Sequence, residues 1–459
     1  MSGLVAAVDF GSTYTKALLV DVDGGDLVAR AEHPTTIETD VMDGWAACRS
    51  ALVESDRAAV TAPVVACSSA GGGLRIAVVG HEELVTAEAG RRVSLSSGGT
   101  VVHVGAGGLA EPGDLDALRA ARPDVVLLVG GTDGGNAAVL LGAAERLAAA
   151  AWAGPVVVAG NAEVAGEAAQ RLVAAGVDVA VADNVVPRIG VLRPDSARVA
   201  IRETFLRHVI GGKQLSASGE FLDMVRGPTP DVVLSGVELL AETVGDVVVV
   251  DVGGATTDVH SVIAPDPEDV GLAREVVASA PVTRTVEGDL GMRWSAPTTV
   301  ARAVEAGLVD DTTGGLADGA DRRGRDPGWL PSTPDDVATE HTLAGAAVGL
   351  ALRRHAGRQR VVFGPDGRLV EREGVDLREV ELLVGSGGVL RHATTDRADA
   401  VLRGATGEDV RGGWLLPRAP RIVVDREYVL VAAGLLRGDH PEAAAALLRR
   451  LTRDRRELA

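Results

Sequence analysis

Short apolar runs separated by glycine-containing turns occur at the start of the chain and again near its middle. Leu4 to Val8 and Ala17 to Val20 are runs of strand length, and Val247 to Val250 and Val259 to Ile263 repeat the pattern. A run of this length bounded by turn residues is typical of a buried strand. Each pair of runs therefore predicts two strands joined by a tight turn.

Between about residues 97 and 183 the pattern changes to strands that alternate with helices. Apolar runs predict strands, and a helical period predicts helices, over the following ranges: Val125 to Val129, Pro155 to Val158 and Asp178 to Ala182 as strands, and Asn136 to Ala151 and Glu163 to Ala174 as helices. This alternation is typical of a parallel sheet in an α/β protein.

The last 150 residues contain four further segments with a clear prediction. Pro334 to His355 and Pro441 to Leu458 have helical patterns, and Phe363 to Leu369 has the pattern of a hairpin. Asp310 to Asp326 is rich in Gly, Asp and Arg and has no apolar period, so it predicts an exposed loop.

The two turns between the paired strands contain the residues that predict chemistry. The first is Asp9-Phe10-Gly11-Ser12-Thr13-Tyr14-Thr15-Lys16, and the second is Asp251-Val252-Gly253-Gly254-Ala255-Thr256-Thr257-Asp258. Glycine in such a turn leaves backbone N–H groups open to phosphate oxygens. An aspartate at a strand end can hold Mg²⁺, usually through water. The pair of turns therefore predicts two phosphate loops that bind a nucleotide polyphosphate.

Most residues of the two turns have a predicted role. Asp9 and Asp251 are assigned to Mg²⁺ and to positioning the attacking water, and Asp258 to the metal or to a hairpin contact. The residues predicted to contact phosphate are Gly11, Ser12, Thr13, Tyr14, Thr15, Lys16, Gly253, Gly254, Ala255, Thr256 and Thr257. Thr15 and Thr257 could equally be outward-facing strand residues, and Lys16 could be a solvated cation at a strand edge.

A third glycine cluster, Gly130 to Asn136, follows the predicted strand that ends at Val129 and precedes a helix. Ligands bind at this place in parallel α/β sheets, so Gly130, Gly131, Thr132 and Asp133 are further candidates for ligand contact. The alternative is a loop in which Asp133 or Asn136 caps the helix. Two later strand ends carry Asn161 and Asn184, which suggests one shared polar edge.

Composition limits the classes of partner. The chain has 459 residues, enough for at least two domains, and a net charge of −19, which argues against nucleic acid or an anionic membrane surface. Cys48 and Cys67 lie in apolar segments, and the sequence has no Cys/His metal cluster, so a reducing cytoplasm is expected. Asp9 interrupts the first apolar stretch, so no signal peptide is expected.

These motifs, in this order, resemble the actin-like ATPase superfamily. Leu382 to Arg391 resembles its adenosine motif through Gly385, Ser386, Gly387 and Gly388, and Gly288 and Asp289 resemble the element after its second phosphate loop. The resemblance implies an α/β fold of two similar halves around a nucleotide cleft, with an α/β insert in the first half, and ATP or ADP with Mg²⁺ as cofactors. The implied domains are residues 1–96, an insert or second lobe at 97–190, a helical connector at 191–246, and residues 247–459.

Five motifs narrow the resemblance to the glutamate mutase L family, also called GlmL or MutL. They begin at Asp9, Gly130, Asn184, Asp251 and Glu287. The resemblance implies a slow Mg²⁺-dependent ATPase that acts as a reactivating chaperone. Its implied partner is a subunit of a coenzyme-B12-dependent mutase of the glutamate mutase or aminomutase type.

Two other functions of the same fold remain open at this point. One is a small-molecule kinase, for which Asp133 would be the best candidate base. The other is a nucleotide-switched scaffold of the actin type. The segment at 97–183 either helps to dock the mutase or to sense the nucleotide tail of cobalamin, or is simply the second lobe of the first half.

Overall fold

The computed structural model describes residues 3–264, 281–312, 314–364, 367–409 and 412–453, with backbone alone for 362–364 and 367–369. The chain forms two compact units. The first contains the described residues up to Gly236 together with Val431–Ala446. The second contains the described parts of Val237–Arg274 and Pro281–Leu430 and the residues from Leu447.

The N-terminal part of the chain, up to Pro228, forms ten strands among the described residues. They are β1 (Leu4–Phe10), β2 (Tyr14–Asp21), β3 (Asp26–Pro34), β4 (Val64–Ser68), β5 (Leu74–Val79), β6 (Gly99–Gly105), β7 (Val125–Leu128), β8 (Val156–Val158), β9 (Val179–Val181) and β10 (Val225–Pro228). The helices that accompany them are α1 (Val41–Ser55), α2 (Glu88–Ser96), α3 (Asp114–Ala120), α4 (Ala138–Ala149), α5 (Ala162–Ala174), α6 (Asp195–Thr204), α7 (Ile210–Gly212), α8 (Gly219–Met224) and α9 (Thr229–Val244).

Sheet A of the first unit has the order β3-β2-β1-β4-β10. The first three strands are antiparallel neighbours, whereas β4 and β10 run parallel to β1. Every residue of β1 is buried, because this strand lies at the centre of the sheet. Helix α1 begins after Asp40, whose carboxylate accepts the Met42 N–H as an N-cap, and it buries Trp45 and Leu52.

Sheet B of the same unit has the order β6-β5-β7-β8-β9, and all its strands are parallel. This confirms the prediction of a parallel α/β sheet, although the sheet begins earlier than the predicted segment, at Leu74. Helices α4 and α5 bury small residues such as Ala143 and Ala168 and larger ones such as Leu147 and Leu172.

The remaining strands, from Val247 onward, are β11 (Val247–Val252), β12 (Thr257–Val262), β13 (Val282–Glu287), β14 (Arg358–Gly364), β15 (Gly367–Glu373), β16 (Leu382–Ser386) and β17 (Arg421–Val424). The helices are α10 (Ala296–Glu305), α11 (Gly315–Arg325), α12 (Pro334–His355), α13 (Gly388–Arg391), α14 (Thr395–Arg403), α15 (Val429–Leu436) and α16 (Pro441–Thr452). Strands β14 and β15 form the predicted hairpin, whose turn at 365–366 lies outside the described residues, as does 454–458 of the last predicted helix.

Sheet C of the second unit has the order β13-β12-β11-β16-β17. Strands β11, β12 and β13 are antiparallel neighbours, and β16 and β17 continue the sheet in parallel. Sheets A and C therefore have the same order and the same strand directions. This agreement confirms the prediction that the chain contains two similar α/β halves.

Two sequence predictions differ from the structure. The segment at 191–246, predicted as a helical connector, is mostly helical, but it also contains β10, which forms the edge strand of sheet A next to β4. The prediction of a loop over Asp310–Asp326 is wrong for most of that range, because α11 forms there. Helix α11 buries Ala320 and the side chain of Arg323, which donates to the Glu340 carboxylate at 3.0 Å.

Candidate functional site

Loop 1, the turn between β1 and β2 (residues 9–16), is a tight hairpin closed by backbone contacts. The Gly11 N–H donates to the Tyr14 carbonyl at 3.1 Å, and a Cβ on Gly11 would lie 2.6 Å from that oxygen. Thr35, the residue that follows β3, stabilises the turn. Its hydroxyl donates to the Gly11 carbonyl and its N–H donates to the Thr13 carbonyl, both at 2.8 Å. Ser12, Thr13 and Tyr14 are exposed at the tip, where a ligand could reach them.

Asp9 lies at the end of β1 and is only 2% exposed. One carboxylate oxygen, Oδ1, accepts the Thr229 hydroxyl at 2.6 Å and the Cys67 thiol at 3.5 Å. The other, Oδ2, lies 3.8 Å from the Lys16 ammonium. Burial, followed by the charge of Asp9, raises the pKa of the Cys67 thiol well above its ordinary value, so Cys67 is a protonated donor.

Loop 2, the turn between β11 and β12 (residues 251–258), repeats the geometry of loop 1. The Gly253 N–H donates to the Thr256 carbonyl at 2.9 Å, and a Cβ on Gly253 would lie 2.8 Å from that oxygen. In both loops the aspartate precedes the turn glycine by two residues, at the end of the central strand. Asp251 is partly buried. The two turns predicted from sequence are therefore structural equivalents.

The segment Gly288–Ser295 lies directly against loop 2. The Met292 and Arg293 N–H groups donate to the carbonyls of Gly253 and Gly254 at 3.0 and 2.7 Å. A Cβ on Gly291 would lie 2.6 Å from the Gly254 oxygen, so only glycine fits there without movement of the loop. The partly exposed ring of Trp294 also lies close to Gly254. These contacts explain in structural terms why the element that begins at Gly288 and Asp289 follows loop 2.

Asp258, on β12, faces a buried arginine. Its Oδ1 accepts two N–H groups of Arg284 at 3.0 and 2.5 Å, and its Oδ2 accepts the Thr256 hydroxyl at 3.2 Å. Arg284 lies on the neighbouring strand β13 and is 4% exposed. The predicted metal role of Asp258 stays a prediction, and it competes with this ion pair.

Thr15 and Thr257 occupy equivalent positions and are both fully buried. The Thr15 hydroxyl lies 3.4 Å from that of Thr35, and the Thr257 hydroxyl donates to the Leu290 carbonyl at 3.1 Å. Both hydroxyls therefore stabilise the loops from the inside. Their predicted phosphate contacts stay predictions that this burial does not favour.

Glu287 and Asp289 share one cation. The Arg354 guanidinium lies 2.6 Å from an oxygen of each carboxylate and donates a further hydrogen bond to Asp289 at 3.0 Å. The hydrogen bond from Arg354 lowers the pKa of Asp289, whereas burial raises that of Glu287. Arg302 also lies 3.4 Å from Asp289. Asp289 is thus held in an ion cluster next to loop 2.

The adenosine-type run lies at the end of β16, beside β11. Ser386 is the strand partner of Asp251 and is buried. Gly387 has φ +94°, and a Cβ there would lie 2.1 Å from the Val252 carbonyl. Gly388 has open space around it. Gly387 is therefore required by the close approach of the chain to the strand that carries loop 2.

The loop Gly130–Asn136 forms one polar cluster with two neighbouring strand ends. The Asp133 carboxylate accepts the Asn184 amide at 2.8 Å and the Ala162 N–H at 3.0 Å, and the Asn161 amide donates to the Gly135 carbonyl at 3.3 Å. This confirms the predicted shared polar edge.

The last residue of the same loop, Asn136, also caps helix α4. The Asn136 side chain accepts the Ala138 N–H at 2.9 Å at the start of α4, as the capping alternative expected. The contact of Gly130, Gly131, Thr132 and Asp133 with a ligand stays a prediction.

Sequence reasoning missed three residues at these loops: Thr229, Thr35 and Arg284. Thr229 precedes Pro230 at the start of α9, a Thr-Pro pattern typical of a helix N-terminus, but nothing in that pattern indicates contact with Asp9. Arg284 is one of many arginines, and only the register of β12 with β13 brings it to Asp258.

Among the described residues, no group of three or more His, Cys, Asp or Glu side chains is placed to hold a metal ion. Mg²⁺ does not need such a group, because it is often bound by one or two carboxylates together with water and substrate phosphate. The loop carboxylates of Asp9 and Asp251 fit that kind of site. A search of the described helices finds none with both the length and the apolar character needed to cross a bilayer.

The repeated sheets and the equivalent loops define a two-unit protein with the actin-like ATPase fold. Two solved structures are similar to this chain at low sequence identity. An acetone carboxylase in its nucleotide-free form matches 88% of this chain and 68% of its own, with 14% identity and a TM-score of 0.39. The ethanolamine utilization protein EutJ of Carboxydothermus hydrogenoformans matches 97% and 90%, with 10% identity and a TM-score of 0.30.

Sequence comparison identifies the family. The family model for MutL protein matches residues 5–452. Protein MutL of Clostridium tetanomorphum is 33% identical over 455 residues, which cover 96% of this chain and 98% of that protein. The chain belongs to the MutL protein family.

Proposed function

We propose that this protein is a slow Mg²⁺-dependent ATPase that reactivates a coenzyme-B12-dependent mutase of the glutamate mutase or aminomutase type. The observation that carries the ATPase part is the repeated hairpin, with an aspartate two residues before the turn glycine in both halves. The mutase part rests on membership of the MutL family and on the resemblance of its five motifs to the glutamate mutase L family.

In this proposal the exposed tips of both loops bind the phosphates of ATP or ADP. Loop 1 offers Ser12 and Thr13, and loop 2 offers Gly254 and Ala255, around turns whose backbone is already fixed. A preformed turn binds phosphate without the entropic cost of ordering the loop. The glycine run at Gly385 to Gly388 is assigned to the adenosine.

Mg²⁺ would be held by Asp9 and Asp251, and it would offset the charge of the phosphates. The surroundings of Asp9 fit this role, because the Lys16 ammonium and the Thr229 hydroxyl both face its buried carboxylate. Asp9 and Asp251 would also orient the water that attacks the γ-phosphate.

The first experiment measures nucleotide binding by calorimetry on the folded protein. We expect ATP with Mg²⁺ to bind, and ADP to bind as well, because the adenosine contacts do not involve the γ-phosphate. Absence of any binding at millimolar concentrations would refute the proposal at its base.

The second experiment tests the two carboxylates. Asp9→Asn and Asp251→Asn should each lower turnover by about a hundredfold or more, and the double variant should lose little beyond the single ones, because the groups act on one assembly. Thermal melting should show that both single variants remain folded. Wild-type turnover in either variant would contradict its catalytic assignment.

The third experiment tests the partner. An aminomutase or glutamate mutase inactivated during turnover is incubated with intact coenzyme B12, the protein and either ATP or no nucleotide. We expect recovery of mutase activity only with ATP, and loss of that recovery in Asp251→Asn. Equal recovery without the protein would refute the reactivation role while leaving the ATPase in place. Phosphoryl transfer to a small molecule would favour a kinase.

A further inference from the structure

The buried carboxylate of Asp9 has two oxygens in different surroundings. Oδ1 lies against the Thr229 hydroxyl at 2.6 Å and the Cys67 thiol at 3.5 Å. Oδ2 lies 3.8 Å from the Lys16 ammonium and 3.6 Å from the place where a Cβ on Gly11 would be. Oδ2 is therefore the oxygen that faces the turn of loop 1.

The two donors to Oδ1 differ in strength. A hydroxyl that donates to a carboxylate at 2.6 Å forms a short, charge-assisted hydrogen bond, whereas a thiol is a weak donor, here at 3.5 Å. Thr229 is also the first residue of α9, directly after β10, so sheet and helix fix its backbone. Thr229 is thus the stronger of these two donors to Oδ1 of Asp9.

The second half uses the corresponding place differently. Asp425 is the first residue after β17, the fifth strand of sheet C, as Thr229 is the first residue after β10. Its buried carboxylate accepts the N–H groups of Val429 and Leu430 at 2.9 and 3.0 Å and so caps α15. At this place the first half therefore has a hydroxyl that donates to the loop aspartate, whereas the second half has a carboxylate that caps a helix.

We propose that Thr229 is a positioning residue for Mg²⁺ and phosphate binding: it holds Oδ1 of Asp9 so that Oδ2 is presented to loop 1. This inference rests on the proposed nucleotide function of loop 1. A hydrogen-bond partner of a metal-binding carboxylate typically contributes tenfold to a hundredfold to metal affinity. Loss of the hydroxyl removes the stronger of these donors to Oδ1 and leaves that buried oxygen less well satisfied.

The test compares Thr229→Val, which removes the hydroxyl at nearly constant shape, with Thr229→Ser, which keeps it. Thr204→Val is the matched control, because Thr204 is a buried threonine of the same unit whose hydroxyl donates to the Ala200 carbonyl of its own helix. Two quantities are measured on the full chain: binding of Mn²⁺ to the ADP complex by electron paramagnetic resonance, and ADP affinity by calorimetry with and without Mg²⁺.

We expect Thr229→Val to weaken Mn²⁺ binding tenfold to a hundredfold and to remove the gain in ADP affinity that Mg²⁺ provides. Metal-free ADP affinity should change less than threefold. Thr229→Ser should restore at least most of the metal affinity, and Thr204→Val should match the wild type in both measurements.

Two results would overturn the inference. Wild-type Mn²⁺ affinity in Thr229→Val would show that the hydroxyl does not position Asp9 for the metal. An equal loss in Thr229→Ser and Thr229→Val would indicate a packing role instead. If the wild-type protein itself binds neither ADP nor Mn²⁺, the proposed function fails and the inference with it, which distinguishes that case from failure of Thr229 alone.

Discussion

His355, at the end of α12, is a buried histidine whose protonation should limit the stability of the second unit in acid. Its Nε2 lies 2.8 Å from the Ser261 hydroxyl, and its Nδ1 lies 3.0 Å from that of Thr285. Burial lowers the pKa of His355 to about 3. The imidazole is therefore still neutral in the folded protein near pH 5, where an unfolded histidine is mostly charged.

The size of the effect follows from the linkage between protonation and folding. An unfolded histidine has a pKa of about 6.5, so the folded pKa is lower than the unfolded one. The stability that neutral His355 provides is complete above the unfolded pKa and is lost as the pH falls. Between pH 7 and pH 5 this single group should lower the free energy of unfolding by about 2 kcal/mol.

The perturbation is His355→Gln, because an amide can still exchange hydrogen bonds with Ser261 and Thr285 but does not titrate. Wild type and variant are unfolded with urea at pH 7 and pH 5. Hydrogen exchange is followed by mass spectrometry on peptides of β12 and α12, so that unfolding of the second unit is measured. His392→Gln, at an exposed position, controls for the loss of an imidazole.

We expect the variant to lose about 2 kcal/mol less stability than the wild type between the two pH values. Its stability at pH 7 is not the criterion, since the new side chain differs in shape. His260 is present in both proteins, and burial lowers its pKa in both; the further lowering by the charge of His355 applies only to the wild type. An identical pH dependence in the two proteins would refute the reasoning, because it would mean that His355 has the same pKa in the folded and unfolded states.

Two glycine substitutions test close backbone contacts. Gly434→Ala should destabilise the first unit by about 1–3 kcal/mol in urea unfolding, because its Cβ would lie 2.0 Å from the Val232 carbonyl oxygen. The control is Gly166→Ala in α5, where a Cβ meets open space, so this variant should be neutral or stabilising. Equal stability of the two variants would contradict the close contact at Gly434. Gly291→Ala should displace Gly254 in loop 2 and so weaken ADP binding at least about tenfold. An ADP affinity equal to that of the wild type, measured by calorimetry, would disprove this prediction.

Local patterns were enough to predict the elements that carry the loops. The apolar runs on both sides of Asp9 and Asp251 became β1, β2, β11 and β12, because each run is short and apolar and a turn with glycine separates the two runs of each pair. The equivalence of the two turns followed from the same local signals. What the sequence could not provide is the set of partners that each loop residue meets across the sheet.

Helix α11 illustrates why a local pattern can fail. Leu316, Ala320 and Arg323 are spaced so that they lie on one face of a helix. Because the third of these positions is an arginine, the sequence shows no apolar period that would indicate a buried face. The structure buries Arg323 between the Glu340 carboxylate and the ring of Trp329, with its guanidinium 4.8 Å from the ring centre. Because that pairing depends on α12, the segment gave no helical signal of its own.

The two repeated hairpins differ in the residue that is paired with the loop aspartate on the neighbouring strand. Lys16 is the strand partner of Asp9, whereas Asp258 is the strand partner of Asp251. Two carboxylates at paired strand positions repel each other, so the second hairpin needs a cation nearby. Arg284 supplies it from β13 through two hydrogen bonds to Asp258. The sequence motif alone suggested Asp258 as a third metal ligand, but this pairing favours a role in holding the strands, and our proposal therefore assigns Mg²⁺ to Asp9 and Asp251.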